Sequence, residues 1–596
     1  MLNGRLYRLA LVPFLLAVAV AAFSLGARPG PLASTLAPDA FNGASAYSEL
    51  QSLDAAFPER RPGSAGDQRL ADYIARSLRG LGGTAGGGFS VHVTHFQGQT
   101  IDGERTLTTV TAQRPGSTGA APIVILAHRD AAARGSEAEL SGTAALLELA
   151  DVFAARETRR TIVLVSTSGG SGGDAGAEHL LTEDHGPIDA AIVLGDLAGT
   201  RANRPSVLPF SDGFGSAPLE LQRTVVGAIT QTSGSDPGDP STIGDLAHLI
   251  FPLAVGEQGV LDGAGVPAVL VQVSGERGAR PDQPVSAERL EAYGRGVLSA
   301  VDALDTAPEI PQATDTGLSL QRKVIPAWAV RLVTFALLLG PLLMAFDGLA
   351  RLRRRRQRVG RWLAWTLACA LPFLLTILFA RVLGLTGIVK AAPSTPVLPS
   401  SLPLGSGGIG ALVAALLVLL LAWLSWPICM RRLGVRTRPD ADGAGLAILL
   451  VLLALSLLVW AINPFTALLL IPAVHLWLLI VSPEARPRPP VALALVGVAF
   501  LPVVALVLFY AHQLGLGAGG IAWEGLLLFA GGHVGLAGGV LWSIALGCAG
   551  AAAMLATHTG PAAGLGVEDG AEITIRGPLS YAGPGSLGGT ESALRR

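Results

Sequence analysis

Half of the 596 residues are hydrophobic and only 15% are charged, with a mean hydropathy of +0.50, which excludes a soluble enzyme of this size. The formal net charge of −1 gives no reason to expect a nucleic-acid partner. Lys323 and Lys390 are the only lysines, so arginine carries the positive charge and an arginine cluster does not by itself mark a phosphate site.

The chain begins with an apolar run at 9–27 behind Arg5 and Arg8. It reads as a retained membrane anchor in preference to a cleaved signal peptide, and either reading sends the following segment across the membrane. Residues 40–310 have ordinary soluble composition and no cysteine, because Cys369, Cys429 and Cys548 all fall later. Strands are expected at 122–128, 160–167, 190–196 and 266–273, and helices at 142–156, 175–181 and 286–304. Strand–helix alternation predicts an α/β domain: a mostly parallel mixed sheet with helices on both faces. Such sheets place sites at the carboxyl ends of their strands. His128, Ser166–Gly173 and Asp196 lie there. Asp174, Glu178 and His179 read as the solvated start of a helix, and His92 and His95 as surface residues of a strand.

After residue 325 come runs long enough to cross a bilayer, at about 326–347, 362–384, 407–426, 443–461, 464–482, 490–511 and 534–556. Arginines follow every second span: the run 351–361, then Arg431, Arg432, Arg436 and Arg438, then Arg486 and Arg488. With Arg5 and Arg8 this is the positive-inside pattern, so 28–322 is expected outside a plasma membrane and both termini in the cytoplasm. The domain plan is an anchor at 1–30, the α/β domain at 40–310, an α-helical transmembrane bundle of seven helices at 325–557 and a disordered tail at 558–596. Residues 515–533 read as re-entrant or as part of a longer last span. Glu524, His475, His533, Arg331 and Arg381 are the ionisable residues that membrane depth singles out.

The stretches RRPGSAGDQRLADYIARSLRGLG (60–82), ILAHRD (125–130), SGTAALLELADVF (141–153), TIVLVSTSGG (161–170), GDLAG (195–199) and AGVPAVLV (264–271) come in a telling order. Together they resemble the co-catalytic dizinc aminopeptidases, family twenty-eight of the metallopeptidases, over roughly 40–306. The layout resembles the membrane-embedded branch of that family. The resemblance implies two zinc ions sharing an Asp, one also held by a His and an Asp, the other by a Glu and a second His. It also implies a Glu general base and an Asp that orients the first His. Zinc needs at least three protein ligands and an open position for water, and the base must take that water's proton.

Carried over by position, the metal His is His128, the orienting Asp is Asp130 and the Asp on the same ion is Asp196. The shared Asp falls on Ala138, the base on Gly169 and the metal Glu on Gly170. No histidine stands between His248 and His475 to supply the second His, and no carboxylate between Arg160 and Asp174. A one-residue slip could bring Glu137 or Glu139 to the shared place, and Glu257 or His248 could serve a rebuilt site. The glycine-rich loop 168–173 could alternatively present backbone N–H groups to an anion.

The expected function is a non-catalytic pseudopeptidase that binds a peptide or a membrane-protein partner in the lipid bilayer, with at most one zinc ion and no other cofactor. The alternatives are an active zinc aminopeptidase with a reorganised site, and a transporter or scaffold in which the bundle is the working part.

Overall fold

The computed structural model describes residues 4–558 except 34–37, 82–87, 184–185, 202–205, 239–240, 311–315, 321, 355–358, 391–396, 398–400, 433–441 and 482–486. The expected tail at 558–596 therefore lies, beyond its first residue, outside the described residues.

Seven strands make the main sheet: β1 (Ser90–Thr100), β2 (Gly103–Arg114), β3 (Ile123–His128), β4 (Ile162–Thr167), β5 (Ala190–Leu194), β6 (Ser206–Leu208) and β7 (Ala268–Gln272). Their order is β1-β2-β4-β3-β5-β7-β6. The central four are parallel, and the hairpin β1–β2 and the short β6 close the two edges antiparallel. Central strands are continuous apolar runs, such as Ile123–Ala127, because both faces are covered. On one face lie the helices Gly43–Ala56, Ala65–Gly80, Glu137–Ala154, Leu219–Ser233 and Ala287–Thr306, which share a core with Ile125, Leu164, Ile192 and Val269. On the other face Ala175–Thr182 and Glu257–Gly263 cover Leu126, Val165, Val193 and Leu270.

Helix starts follow side-chain chemistry. Asn42 Oδ1 accepts from the amides of Ala44 and Ser45, Ser64 Oγ from Asp67 and Ser286 Oγ from Arg289. Each occupies one of the donors a helix leaves unpaired at its first turn.

Seven described helices are long and apolar enough to cross a membrane: 4–23, 327–354, 360–385, 406–432, 443–462, 464–481 and 536–557. The expected span at 490–511 is a pair of helices, Pro489–Val498 and Leu501–Leu514, bent by 42° at a break; Pro502 lies just after the break, where a proline ring interrupts a helix. Counting the pair as one gives up to eight spans, and the chain is a multi-pass membrane protein. The segment 515–533 is not a continuation of the last span. It holds a separate helix, Ala518–Gly531, ended by Gly532 at φ +98°, a left-handed conformation only glycine adopts readily.

Several contacts join domain and bundle. A small sheet pairs Gly26–Ala27, just past the first helix, with Lys323–Ile325, just before the second, and the latter with Leu318–Ser319. Beside it, four consecutive carbonyls of the domain each meet a bundle side chain. Asn463 Nδ2 donates to Leu249 O (2.8 Å), Thr466 Oγ1 to Ile250 O (2.5 Å) and Tyr510 OH to Phe251 O (2.6 Å). His533 Nε2 lies 3.0 Å from Pro252 O. In the reverse direction Arg277 Nη2 donates to His512 O (2.7 Å), at the end of Leu501–Leu514.

Candidate functional site

Parallel pairing sets His128, the last residue of β3, beside Thr167, the last of β4. Asp130 follows two residues on and is 1% exposed. Its Oδ1 accepts from the amides of Gly169 (2.8 Å) and Gly170 (3.1 Å), and its Oδ2 from that of Ser171 (3.1 Å). The glycine-rich loop does gather an anion on its backbone N–H groups, but the anion is the protein's own Asp130. Gly170 lies so close over the imidazole that a Cβ there would stand 2.5 Å from His128 Cβ. Only glycine lets the loop settle at this distance.

Asp196 lies two residues past β5. Its Oδ1 accepts from the amides of Ala198 (3.1 Å) and Gly199 (2.7 Å), and its Oδ2 from Gln283 Nε2 (2.7 Å) and the Ser274 hydroxyl. Burial raises its pKa and these four donors work against the rise. Ala138, at the expected shared position, is fully buried in the first turn of Glu137–Ala154.

Two glutamates come to this place that position alone did not assign. Glu139 has its carboxyl pushed up to about 8 by burial, eased by the Arg60 guanidinium and reinforced by Asp130 and Asp196. Glu137 is raised by burial and by Asp54. Glu257 opens the helix Glu257–Gly263 and is 1% exposed. Its Oε1 accepts from Thr167 Oγ1 (2.5 Å), and its Oε2 stands 3.9 Å from His128 Nδ1. Burial pushes Glu257 up to about 8, with the Thr167 bond opposing, and burial lowers His128. Both shifts favour the uncharged forms of the pair, a neutral imidazole and a protonated carboxyl. The sequence offered Glu257 only as a residue that could serve a rebuilt site.

His248 is not in the site. It is stacked on Phe210 (centroids 3.5 Å apart), with Nε2 3.2 Å from Glu276 Oε1 and Nδ1 3.3 Å from Tyr510 OH, at the junction with the bundle. The solvated reading of Asp174 is also corrected. It is 1% exposed at φ +49°, packed under the loop, and burial together with Glu257 and Asp212 raises it well above the carboxylate range. His92 and His95 stand on β1 as expected, His95 against Thr108 Oγ1 at 2.9 Å.

Zinc, the metal the resemblance implies, requires three ligands with free lone pairs. Asp196 spends all four of its acceptor positions and Asp130 three on backbone and side-chain donors, Ala138 and Gly170 have no side-chain ligand atom, and Gly170 lies against His128. Among the described residues no three of His, Cys, Asp and Glu are arranged to hold a metal ion. This arrangement does not fit a two-zinc centre.

In comparison with known proteins, residues 109–248 match the family described as peptidase family M28. No curated protein sequence matches the chain. Similar solved structures include LapB from Legionella pneumophila, 14% identical, covering 48% of this chain and 79% of that one at a TM-score of 0.39. The zinc aminopeptidase BSAP from Bacillus subtilis is 13% identical over 46% of this chain and 98% of its own, at 0.37. Porphyromonas gingivalis glutaminyl cyclase is 17% identical over 44% and 99%, at 0.34.

Proposed function

We propose that this chain, whose residues 109–248 belong to peptidase family M28, is a membrane-bound pseudopeptidase that binds a peptide or protein segment in its cleft without cleaving it. The observation that carries this reading is the position of Gly170 over His128. A metal-binding Glu at 170 would need the space the imidazole occupies. The state of Asp196 adds to it, since four donors already occupy its carboxylate. With Gly169 at the base position, no side chain there can accept water's proton.

The domain plan goes with this reading: an anchor at 1–30, the α/β domain at 40–310, the helix bundle at 325–557 and a tail from 558. The arginine pattern supports placing 28–322 outside a plasma membrane and both termini in the cytoplasm. Pairing of Gly26–Ala27 with Lys323–Val324 favours a retained first helix, because cleavage there would cut inside a paired strand.

A second reading, a zinc aminopeptidase with a rebuilt mononuclear site, is favoured by the approach of Glu257 to His128. In a third, the bundle is the working part and the domain its receptor.

The test is zinc content and aminopeptidase activity of the full chain in detergent, beside His128→Ala. Equal metal in both proteins and no release of N-terminal residues is the expected result. One zinc per chain, lost in His128→Ala, with activity that a chelator stops, would overturn the proposal in favour of the rebuilt site.

A further inference from the structure

Where the domain meets the bundle lies a half-open cavity of about 510 Å³, within the size of small-molecule pockets, roughly 300–1,000 Å³. Its walls come from Leu371–Leu385, Leu501–Leu514, Ala518–Gly531 and Leu536–His558, and the domain residues Phe251 and Leu253 form its roof. The lining is almost wholly hydrocarbon and aromatic. A second space of about 180 Å³ adjoins it, with Val503 and Trp542 lining both.

One charged group lines the larger cavity. Glu524, near the middle of Ala518–Gly531, is 6% exposed and turned to the cavity. Among the described residues no donor or cation reaches it. Arg381, the arginine of a neighbouring wall helix, is engaged two turns away with Ala530 O at 3.0 Å. The other membrane ionisables are also engaged. His475 Nδ1 is 2.7 Å from Tyr7 OH, and Arg331 lies 5.8 Å over the Trp460 ring. A carboxyl buried without a partner costs several kcal/mol, on the order of the penalty for an unmade charged hydrogen bond. A helix of this composition has many positions for such a group on its solvent- or lipid-facing side, yet this one lines the cavity.

We propose that this cavity binds a single-chain amphiphile with a primary-amine head, the ammonium pairing with the Glu524 carboxylate and the hydrocarbon chain lying along the apolar walls toward Val503 and Trp542. An amine matches the group better than an alcohol does. It takes the proton of the buried carboxyl and returns as the cation the site lacks, whereas a hydroxyl offers one neutral hydrogen bond. The lining supplies the rest of the affinity through burial of the chain.

The neighbouring Gly525 gives a way to fill the space without touching the charge. A Cβ there meets nothing within 4 Å, and the residue lines the cavity.

The full chain in lipid nanodiscs is photolabelled with a long-chain primary amine carrying a diazirine in its chain, and with the alcohol of the same length and label. The amine should label peptides from 503–546 about tenfold more than the alcohol does, a difference of about 1.4 kcal/mol. Glu524→Gln, nearly isosteric, should remove that preference and leave labelling by the alcohol unchanged, and Gly525→Phe should reduce both. Equal labelling by amine and alcohol, a preference that survives Glu524→Gln, or no labelling of 503–546 would each overturn the proposal and leave the cavity to bilayer acyl chains. If Gly525→Phe does not fold, Glu524→Gln decides alone.

Discussion

The cleft at the strand ends and the junction with the bundle bind loops by opposite means. In the cleft, one side chain gathers backbone donors: Asp130 takes the amides of Gly169, Gly170 and Ser171. At the junction, backbone acceptors gather side chains: the carbonyls of Leu249, Ile250, Phe251 and Pro252 meet Asn463, Thr466, Tyr510 and His533. The first arrangement closes a site onto itself with a residue that the family uses for metal chemistry. The second fixes the domain on the membrane part through groups that any sequence could offer on its backbone, so its specificity resides in the bundle. The difference teaches that a loop can be fixed either by one side chain that collects backbone donors or by backbone acceptors that collect side chains, and that the second needs no motif in the domain at all.

Removing the cleft's anion is the largest perturbation. Asp130→Ala strands three buried amides at about 1–3 kcal/mol each, so thermal unfolding of the full chain should fall sharply, and by the same amount with or without a chelator. A fall seen only in the absence of chelator would mean Asp130 works through a metal. Gly170→Glu restores the residue type the family places there, yet overpacking against His128 should cost about 1–3 kcal/mol and bring no zinc with it. Elemental analysis and a melting curve on the one variant check both halves.

On the junction side, Asn463→Ala leaves Leu249 O without its donor and removes the acceptor for the amides of Phe465 and Thr466. A loss of about 1–3 kcal/mol is expected, with proteolysis at 249–253 as the local readout, and no change in protection of the cleft loop 168–174. Equal loosening of both would erase the distinction between the two regions.

The smallest effect is a pH slope. Burial pushes Asp212 up to about 7, with the Ala254 amide opposing. Folded, it binds a proton over a range in which the unfolded chain has released it. Its contribution to stability is therefore whole below the ordinary aspartate range and is lost as pH rises toward 7, by at most about 1.4 kcal/mol per pH unit. Asp212→Asn keeps the acceptor for Ala254 and should flatten that part of the profile in urea titrations between pH 5 and pH 7, a window set by that shift. An unchanged slope would place the proton elsewhere.

The central strands were legible because a buried parallel strand is an unbroken apolar run, and Ile123–His128 and Ile162–Thr167 differ from the expected ranges only at their starts. Ser286 announced its helix by the same hydroxyl that caps it. The edge strand Ser206–Leu208 and the helix Leu219–Ser233 gave no comparable pattern, since one is three residues long and the other mixes polar residues through its apolar face. In the site, His128, Asp130 and Asp196 stood where strand ends put them. What sequence order concealed was direction. Nothing in the spacing says that Glu257, more than a hundred residues on, turns its carboxyl to His128, because that depends on how a helix lies over the sheet.

The small sheet at the membrane surface has a consequence for synthesis. Gly26 pairs with Val324, so the first of its strands leaves the ribosome about 300 residues before its partner, roughly 15–60 s at 5–20 residues per second. During that interval the whole α/β domain has emerged and has had time to fold on a tether held at one end. The late strand then arrives beside a finished body and closes the loop, a clasp fastened only after the contents are in place.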